Sequence, residues 1–150
     1  MIRAICFDLW ETLISDTPDL LRDQERLRLT PIESILTARG HADAAARLDA
    51  GYRSVWRRCH ELYWSEDVDI TCRRQVEHFL EEIGIDPTSF QPAVLDEIEQ
   101  AYATAAVEVL PRTVDGAGDL LRHLKRSGLA TGLISNTGRT PGYGLGSVLE

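Results

Sequence analysis

The sequence has few cysteines, and they follow no regular spacing. Three of its 150 residues are cysteine (Cys6, Cys59 and Cys72), an odd number without a Cys-x-x-Cys pair. Small secreted domains held together by disulfides carry even numbers of cysteines at short spacing. The pattern therefore argues against a disulfide framework and favours a reducing compartment.

Long apolar runs are missing as well. No stretch approaches the roughly 18–20 apolar residues that cross a bilayer. The first apolar run stops at Asp8, which is too early for the apolar core of a secretory signal. We therefore expect no membrane association and a cytoplasmic location.

Positive charge is scarce. The chain has 16 basic and 24 acidic residues, a formal net charge of −8 and a pI near 5.0. Because binding to a phosphate backbone depends on Lys and Arg, nucleic acid is not an expected partner. With 43% hydrophobic and 27% charged residues, the composition is that of a globular protein and excludes a disordered chain.

Two short apolar runs predict strands that end in polar residues. Residues 2–7 precede Asp8, and residues 129–134 precede Ser135 and Asn136. Continuous runs of this length are typical of strands buried on both faces of a parallel sheet. We expect the ends of these strands to carry the site, because ligands of open parallel sheets bind at the carboxyl ends of the strands.

A helix is predicted between the end of the insert and the second strand. Residues 115–127 place their leucines on one face, and Gly128 ends the pattern. The order helix, glycine, strand, polar loop is half of a βαβ unit. The expected fold class is α/β, with a doubly wound parallel-sheet (Rossmann-like) core.

The stretch between the two strands has helical spacing throughout. Its expected helices start at a capping box, Thr30-Pro31-Ile32-Glu33, and continue over residues 42–64, 71–83 and 94–107. We therefore divide the chain into a partial core (residues 1–15 and 109–150) and an all-helical insert (residues 16–108).

Asp8 is the main candidate for chemistry. A carboxylate at the end of a buried strand is rigidly held and partly desolvated, which suits a nucleophile; the alternative is a simple turn cap. The hydroxyl and amide groups of Ser135, Asn136 and Thr137 could orient an anionic substrate. Their alternative interpretation is a polar turn that leads into the next helix.

Together these segments resemble the haloacid dehalogenase superfamily of hydrolases. Residues 5–13 (ICFDLWETL) are similar to its first motif, and residues 132–137 (GLISNT) are similar to its second. One large branch of the family places a helical cap directly after the first motif, as the insert is placed here. The resemblance covers essentially the whole chain.

The resemblance implies a role for each matching residue. Asp8 would be the nucleophile that forms a covalent aspartyl intermediate. In phosphate-transferring members Asp8 and the main-chain carbonyl of Trp10 would bind Mg²⁺. Thr12 would steady the loop, Ser135 would hold the transferring group, and Asn136 would position substrate or water. The implied substrate is a small anionic molecule, expected to be a phosphate ester.

Two positions of the first motif depart from the family. Trp10 stands where phosphatases have the Asp that protonates the leaving group, and Glu11 stands where Gly is usual. An aromatic residue at the Trp10 position resembles the halocarboxylate dehalogenases, in which halide leaves without a proton or a metal. The alternative activity is therefore C–halogen hydrolysis of a 2-haloacid.

The family's later motifs have no match. A Lys and one or two acids are expected after Ser135, but no Lys and no Asp follow Asn136. Lys125 precedes the second motif, and we interpret it as a solvated charge at a helix end. We expect a chain truncated at its C-terminus. A third alternative is a non-catalytic binding protein or inactive fragment with this fold.

The remaining candidates have structural interpretations. Cys59, His60, Cys72 and His78 lack the paired spacing of a zinc site, which favours core cysteines and surface histidines. The glycine-rich residues 138–146 match no phosphate-binding pattern and predict a loop and a helix start.

The basic and aromatic residues of the long insert helix form the last group. We expect the arginines to pair with acids of the insert, with a substrate anion as the alternative partner; they are Arg53, Arg57 and Arg58. We expect the aromatic residues to lie in the core, with a pocket wall as the alternative; they are Trp56, Tyr63 and Trp64.

Overall fold

The computed structural model describes residues 2–136 and 138–149. Its helices are α1 (Pro18–Ala38), α2 (Leu48–Leu62), α3 (Cys72–Glu82), α4 (Pro92–Ala103), α5 (Ala105–Glu108), α6 (Ala117–Arg126) and α7 (Gly142–Val148). Its strands are β1 (Ala4–Phe7), β2 (Ile14–Ser15), β3 (Arg112–Thr113) and β4 (Ala130–Leu133). Short 3₁₀ turns lie at Ala42–Arg47, Trp64–Glu66 and Pro87–Ser89. Within the described ranges, no helix has both the length and the apolar composition needed to cross a membrane.

The prediction of a doubly wound parallel sheet is wrong. The structure is 63% helical, and in the part of the chain it describes the strands form one parallel pair, β1–β4, and one antiparallel pair, β2–β3. A doubly wound sheet needs further parallel strands with helices on both faces. Here α6 packs against β4, and the strand pair stays largely open to solvent.

The expectation that both strands are buried is wrong for the same reason. β4 is exposed along its whole length, and β1 alternates between exposed and half-buried residues. The side chains of Leu133 and Ile134 are 39% and 69% exposed. The positions of the strands are as predicted, but their burial is not.

Residues 16–108, which we call the helical region, enclose the larger hydrophobic core. In this region α1 packs against α4, α2 against α3, and α3 against α4. The fully buried side chains at the centre include Ile32, Leu36, Val76, Phe79, Leu80, Ile83 and Ile98. The helices predicted over residues 42–64, 71–83 and 115–127 are confirmed, although a 3₁₀ turn replaces the first turns of the first of them. The single helix predicted over residues 94–107 is divided at Thr104 into α4 and α5.

Helix α1 does not begin at the predicted capping box. Its N-cap is Thr17, whose hydroxyl accepts a hydrogen bond from the Leu20 amide at 3.3 Å, and Pro31 lies inside the helix. An internal proline costs about 3 kcal/mol. The helix continues because its buried face, which includes Ile32 and Leu36, packs on both sides of the proline.

A second, smaller cluster lies beneath the first motif. It consists of Leu9, Leu13, Ile14, Ala117 and Leu145. The two connections between this part and the helical region run side by side, because β2 pairs with β3 and the Val114 amide donates to the Leu13 carbonyl at 2.9 Å.

The segment after β4 docks on the helical region. Gln75 donates to the Gly138 carbonyl at 2.7 Å, and Gly138 has φ +53° with Trp56 directly beside it. The backbone conformation favours glycine here, whereas Trp56 at 3.6 Å would be in ordinary van der Waals contact with a Cβ. The predicted loop and helix start over residues 138–146 are confirmed, since α7 begins at Gly142.

Candidate functional site

The parallel strand pair brings the two predicted motifs together. Phe7 is in register with Leu133, and the Ile134 amide donates to the Phe7 carbonyl at 2.9 Å. Asp8 and Ser135 therefore follow neighbouring strand ends. They open onto one cleft of about 480 Å³, the Asp8 cleft, lined by Cys6, Phe7, Asp8, Trp10, Ile134, Ser135 and Asn136.

Two carbonyl groups hold the turn after Asp8. The Ile14 carbonyl accepts a hydrogen bond from the Glu11 amide at 2.7 Å. The Leu9 carbonyl accepts hydrogen bonds from the amides of Leu13 at 2.8 Å and Ile14 at 3.1 Å. Leu9 itself is completely buried. Because the turn folds back on itself, the Thr12 hydroxyl comes within 3.5 Å of an Asp8 carboxylate oxygen. Thr12 thus contacts Asp8 although it does not line the cleft.

Glu11 is the residue of this turn with a positive φ. Its φ is +58°, a left-handed conformation that glycine adopts at the lowest cost. Its side chain is exposed and is not part of the lining of the Asp8 cleft. Glu11 therefore does not take the place of the acid that Trp10 replaces.

The side chains at the site are more open than the sequence predicts. Asp8 is exposed, so the expected partial desolvation of its carboxylate is not found. Ser135 is half-buried, with its hydroxyl 3.4 Å from the Asn136 carbonyl. Thr137, the last residue of the second motif, lies outside the described residues.

The oxygen donors at the cleft suit a hard cation in kind. The carboxylate of Asp8 and the carbonyl of Trp10 are the ligand types that Mg²⁺ takes in proteins. Among residues 2–136 and 138–149, no three His, Cys, Asp or Glu side chains are close enough together to hold a metal ion.

A second cavity adjoins the Asp8 cleft and shares Trp10 and Asn136 with it. We call it the arginine cavity. It has a volume of about 290 Å³ and is lined by Trp10, Asp16, Leu21, Gln24, Arg28, Tyr52, Trp56, Asn136, Gly138, Arg139 and Thr140. Trp56 is 45% exposed, so the expectation that it lies in the core is wrong, and the alternative of a pocket wall is correct.

Two arginines of this cavity were not predicted. The guanidinium of Arg28 donates to the Tyr102 carbonyl at 2.9 Å and to the Tyr52 hydroxyl at 3.1 Å. The guanidinium of Arg139 lies over the Tyr52 ring, 4.0 Å from its centre, and 4.8 Å from the centre of the Trp56 ring. Both arginines therefore contact Tyr52.

The sequence contains a pattern that could have indicated Arg28. Gln24 and Arg28 precede Ile32 and Leu36 at four-residue spacing, so two polar residues lie on the apolar face of α1. A charged residue at such a position needs a partner, a ligand or a water-filled cavity. Arg139 lies two residues after the second motif but has no comparable pattern around it.

Asp16 contributes a carboxylate to the arginine cavity. Gln24 donates to it at 2.9 Å and also to the Val109 carbonyl at 3.1 Å. Burial raises the pKa of Asp16 above its ordinary value, and the hydrogen bond from Gln24 partly opposes this.

The cysteine and histidine interpretations are confirmed in part. Cys59 and Cys72 are buried core residues, and burial raises the pKa of the Cys72 thiol to about 12. The prediction of surface histidines is wrong for His78, which is 2% exposed and lies 3.0 Å from the Tyr63 hydroxyl and 3.2 Å from Glu81.

The prediction that the arginines of the long insert helix pair with acids holds for one of the three. Arg58 pairs with Glu81 at 2.6 Å and with Glu82 at 3.0 Å. Within the described residues Arg53 and Arg57 form no ion pair, and Arg53 donates to the Asp49 main-chain carbonyl at 3.2 Å. Lys125 is exposed in the last turn of α6.

No protein-family model matches this sequence, and no curated protein matches it.

Proposed function

We propose that this protein is a hydrolase that uses Asp8 as a covalent nucleophile on a small anionic substrate, with a phosphate ester as the substrate class. The observation that carries the proposal is the common cleft of Asp8, Ser135 and Asn136 at the ends of two paired parallel strands. These residues resemble the first and second motifs of the haloacid dehalogenase superfamily and belong to segments about 125 residues apart.

The chemistry requires two balanced steps. An Asp8 oxygen attacks phosphorus, the bond from phosphorus to the ester oxygen breaks, and that oxygen leaves with the electron pair. Water then attacks the phosphorus of the aspartyl phosphate, which releases inorganic phosphate and restores the Asp8 carboxylate. The half-buried Ser135 hydroxyl and the Asn136 amide, which line the same cleft as Asp8, would hold the phosphoryl oxygens.

Mg²⁺ is part of this proposal. The Asp8 carboxylate and the Trp10 carbonyl would hold it, and other oxygen ligands would come from water and substrate. When bound, the cation would neutralise charge on the phosphoryl oxygens.

Trp10 determines which esters the protein can cleave. An indole cannot donate a proton to the departing oxygen, and Glu11 does not line the cleft. The leaving group must therefore depart as a stable anion. We expect acyl and aryl phosphates to react at least about 100-fold faster than alkyl phosphates, because a positioned acid typically contributes 10²–10⁴-fold.

The half-buried Trp10 also supports a second candidate, the hydrolysis of a 2-haloacid. Halide leaves without a proton, so this reaction does not need the missing acid. Asp8 would displace halide from carbon, and water would then cleave the resulting ester at its carbonyl carbon.

A comparison of substrates distinguishes the candidates. Phosphate release from acetyl phosphate and from p-nitrophenyl phosphate is measured beside halide release from 2-chloropropionate, each with Mg²⁺ and with EDTA. Phosphate release that requires Mg²⁺ is the expected result. Halide release in EDTA would replace the phosphatase proposal by the second candidate. No turnover of any of the three would favour a non-catalytic binding protein.

A further inference from the structure

The arginine cavity contains two positive charges held by neutral groups. Arg28 is 4% exposed, and its hydrogen bonds go to the Tyr102 carbonyl and the Tyr52 hydroxyl. Arg139 donates to the Tyr102 hydroxyl at 3.3 Å and to the Tyr52 carbonyl at 3.2 Å. The same two tyrosines therefore bind both guanidinium groups.

The surrounding residues neutralise these charges only in part: the Arg28 charge acts on Asp16 and opposes the rise in the pKa of that carboxyl that burial causes. In the described part of the chain, no carboxylate lies within ion-pair distance of Arg28 or Arg139. Burial raises the pKa of Tyr102 to about 12, so its hydroxyl stays neutral. Asp16 is the single acid among the lining residues described. One positive charge is therefore in excess.

An unpaired buried charge is costly, and two like charges beside one tyrosine repel each other. An anion placed between them would reduce both costs. Within the described residues, Nη2 of Arg28 and Nη1 of Arg139 have no hydrogen-bond partner. In the described chain, every fully buried side-chain nitrogen has a hydrogen-bond partner. Because these two nitrogens have none, both must be accessible to a ligand or solvent.

The shape of the cavity indicates the class of anion. The planar guanidinium of Arg139 lies against the Tyr52 and Trp56 rings and therefore presents its N–H bonds at the edge, which suits carboxylate and phosphate oxygens. Tyr52, Trp56 and Trp10 provide apolar walls. A volume of about 290 Å³ is at the lower end of the roughly 300–1,000 Å³ of small-molecule sites.

We propose that the arginine cavity binds a carboxylate or phosphate group at the end of the substrate remote from Asp8. The two cavities adjoin, because they share Trp10 and Asn136. That the bound group belongs to a substrate of Asp8 rests on the proposed function. The substrate class is thereby narrowed to small molecules with two anionic groups, one at each end.

Anion binding is tested first without any turnover. Inorganic phosphate and succinate are titrated separately into the protein, and binding is followed by tryptophan fluorescence, because Trp56 lines the arginine cavity and Trp10 lines both cavities. We expect saturable binding that weakens about 10-fold or more in Arg139→Gln, since hydrogen bonds to charged groups are lost. The tighter of the two anions identifies the preferred group.

Matched variants locate the site. Arg57→Gln removes the same charge from an exposed position beside Trp56 and should change affinity less than about 2-fold. Asp8→Asn should retain binding. Equal affinity of wild type and Arg139→Gln, loss of binding in Asp8→Asn, or no binding in the wild type would each overturn the proposal.

Circular dichroism shows whether Arg139→Gln folds. If it does not fold, Arg28→Lys replaces it. This variant keeps the positive charge but loses the planar guanidinium fork, and it should weaken anion binding.

A kinetic arm links the cavity to catalysis. In Arg139→Gln, we expect the KM for carboxyphenyl phosphate to rise about 10-fold while the KM for phenyl phosphate stays unchanged. An equal rise for both substrates would overturn the assignment of the cavity to the remote end. The protein could turn over no substrate and still bind anions in a way that depends on Arg139. In that case the anion site stands and the proposed function is wrong.

Discussion

Glu11 has an unfavourable backbone conformation in the turn that carries Asp8. Its φ of +58° carries a steric cost that glycine avoids. Replacement by glycine would remove this cost, but the larger unfolded-state entropy of glycine would cancel part of the gain. We expect Glu11→Gly to raise the free energy of unfolding by about 0.5–1 kcal/mol in urea denaturation. Glu33→Gly, at an exposed position inside α1, should lower it by about 1 kcal/mol. A loss of stability in both variants would contradict this account of the turn.

Asp16 makes a pH-dependent contribution to stability. Its pKa is raised in the folded protein, mainly by burial, so folding disfavours its charged form. The resulting cost is absent at pH values below the unfolded pKa and fully present above the folded pKa. Asp16→Asn, which can still accept the hydrogen bond from Gln24, should raise the free energy of unfolding at pH 7 and leave it unchanged near about pH 3.

The measurement for Asp16 is a series of urea denaturations between these pH values. Asp115→Asn, at an exposed turn, serves as the control and should show no such dependence. A gain for Asp16→Asn that is equally large at both pH values would show that the gain does not come from ionisation.

Single residues differed in how far the sequence could predict their positions. Asp8, Ser135 and Asn136 follow apolar runs, and the pairing of those runs placed them in one cleft. Arg28 was missed because its role depends on Tyr52 and Tyr102, which are 24 and 74 residues away. A pattern within one helix does not contain those contacts.

Helix α1 contains a proline that local rules would place at a helix start. Pro31 cannot donate a hydrogen bond to the carbonyl of Leu27, and its ring crowds that turn. We expect Pro31→Ala to raise the free energy of unfolding by about 1–3 kcal/mol in urea denaturation. Pro18→Ala, in the first turn of the same helix, should bring no gain because the N–H there has no acceptor. Equal effects of the two changes would contradict a strained helix interior at Pro31.

The elements show why local patterns were only partly sufficient. The spacing of apolar residues placed β1, β4 and most helices correctly, because amphipathic periodicity is a local property. The burial of β1 and β4 was wrong, since it depends on neighbouring strands and covering helices. The capping box at Thr30 failed because packing of α1 on α4 outweighs a local start pattern.

At the scale of the molecule, the described residues form two hydrophobic clusters of very different size. The large one fills the helical region, and the small one has five buried members beneath the first motif. Local opening is cheapest where few apolar contacts are lost. We expect amide hydrogens of β1 and β4 to exchange at least about 100-fold faster than those of α3 and α4 in hydrogen-exchange mass spectrometry. Equal protection of both sets would show that the clusters unfold as one unit.

The fold class was inferred from half of a βαβ unit, and this explains the error at the scale of the molecule. One strand pair with a helix against β4 is compatible with many arrangements. The doubly wound sheet was an extrapolation from the motif pattern, and the helical content of 63% overturns it. The Asp8 cleft does not depend on that extrapolation, because it needs only the β1–β4 pair.

The most direct test of the proposed chemistry is the turnover rate of Asp8→Asn. The variant is compared with wild type and with Asp49→Asn, an exposed control on α2, on the substrate that the wild type turns over fastest. A nucleophile cannot be replaced by a neutral amide of the same shape, so the account predicts a loss of at least about 1,000-fold for Asp8→Asn and none for the control. An Asp8→Asn protein that keeps the wild-type rate would contradict both the phosphatase proposal and the dehalogenase alternative.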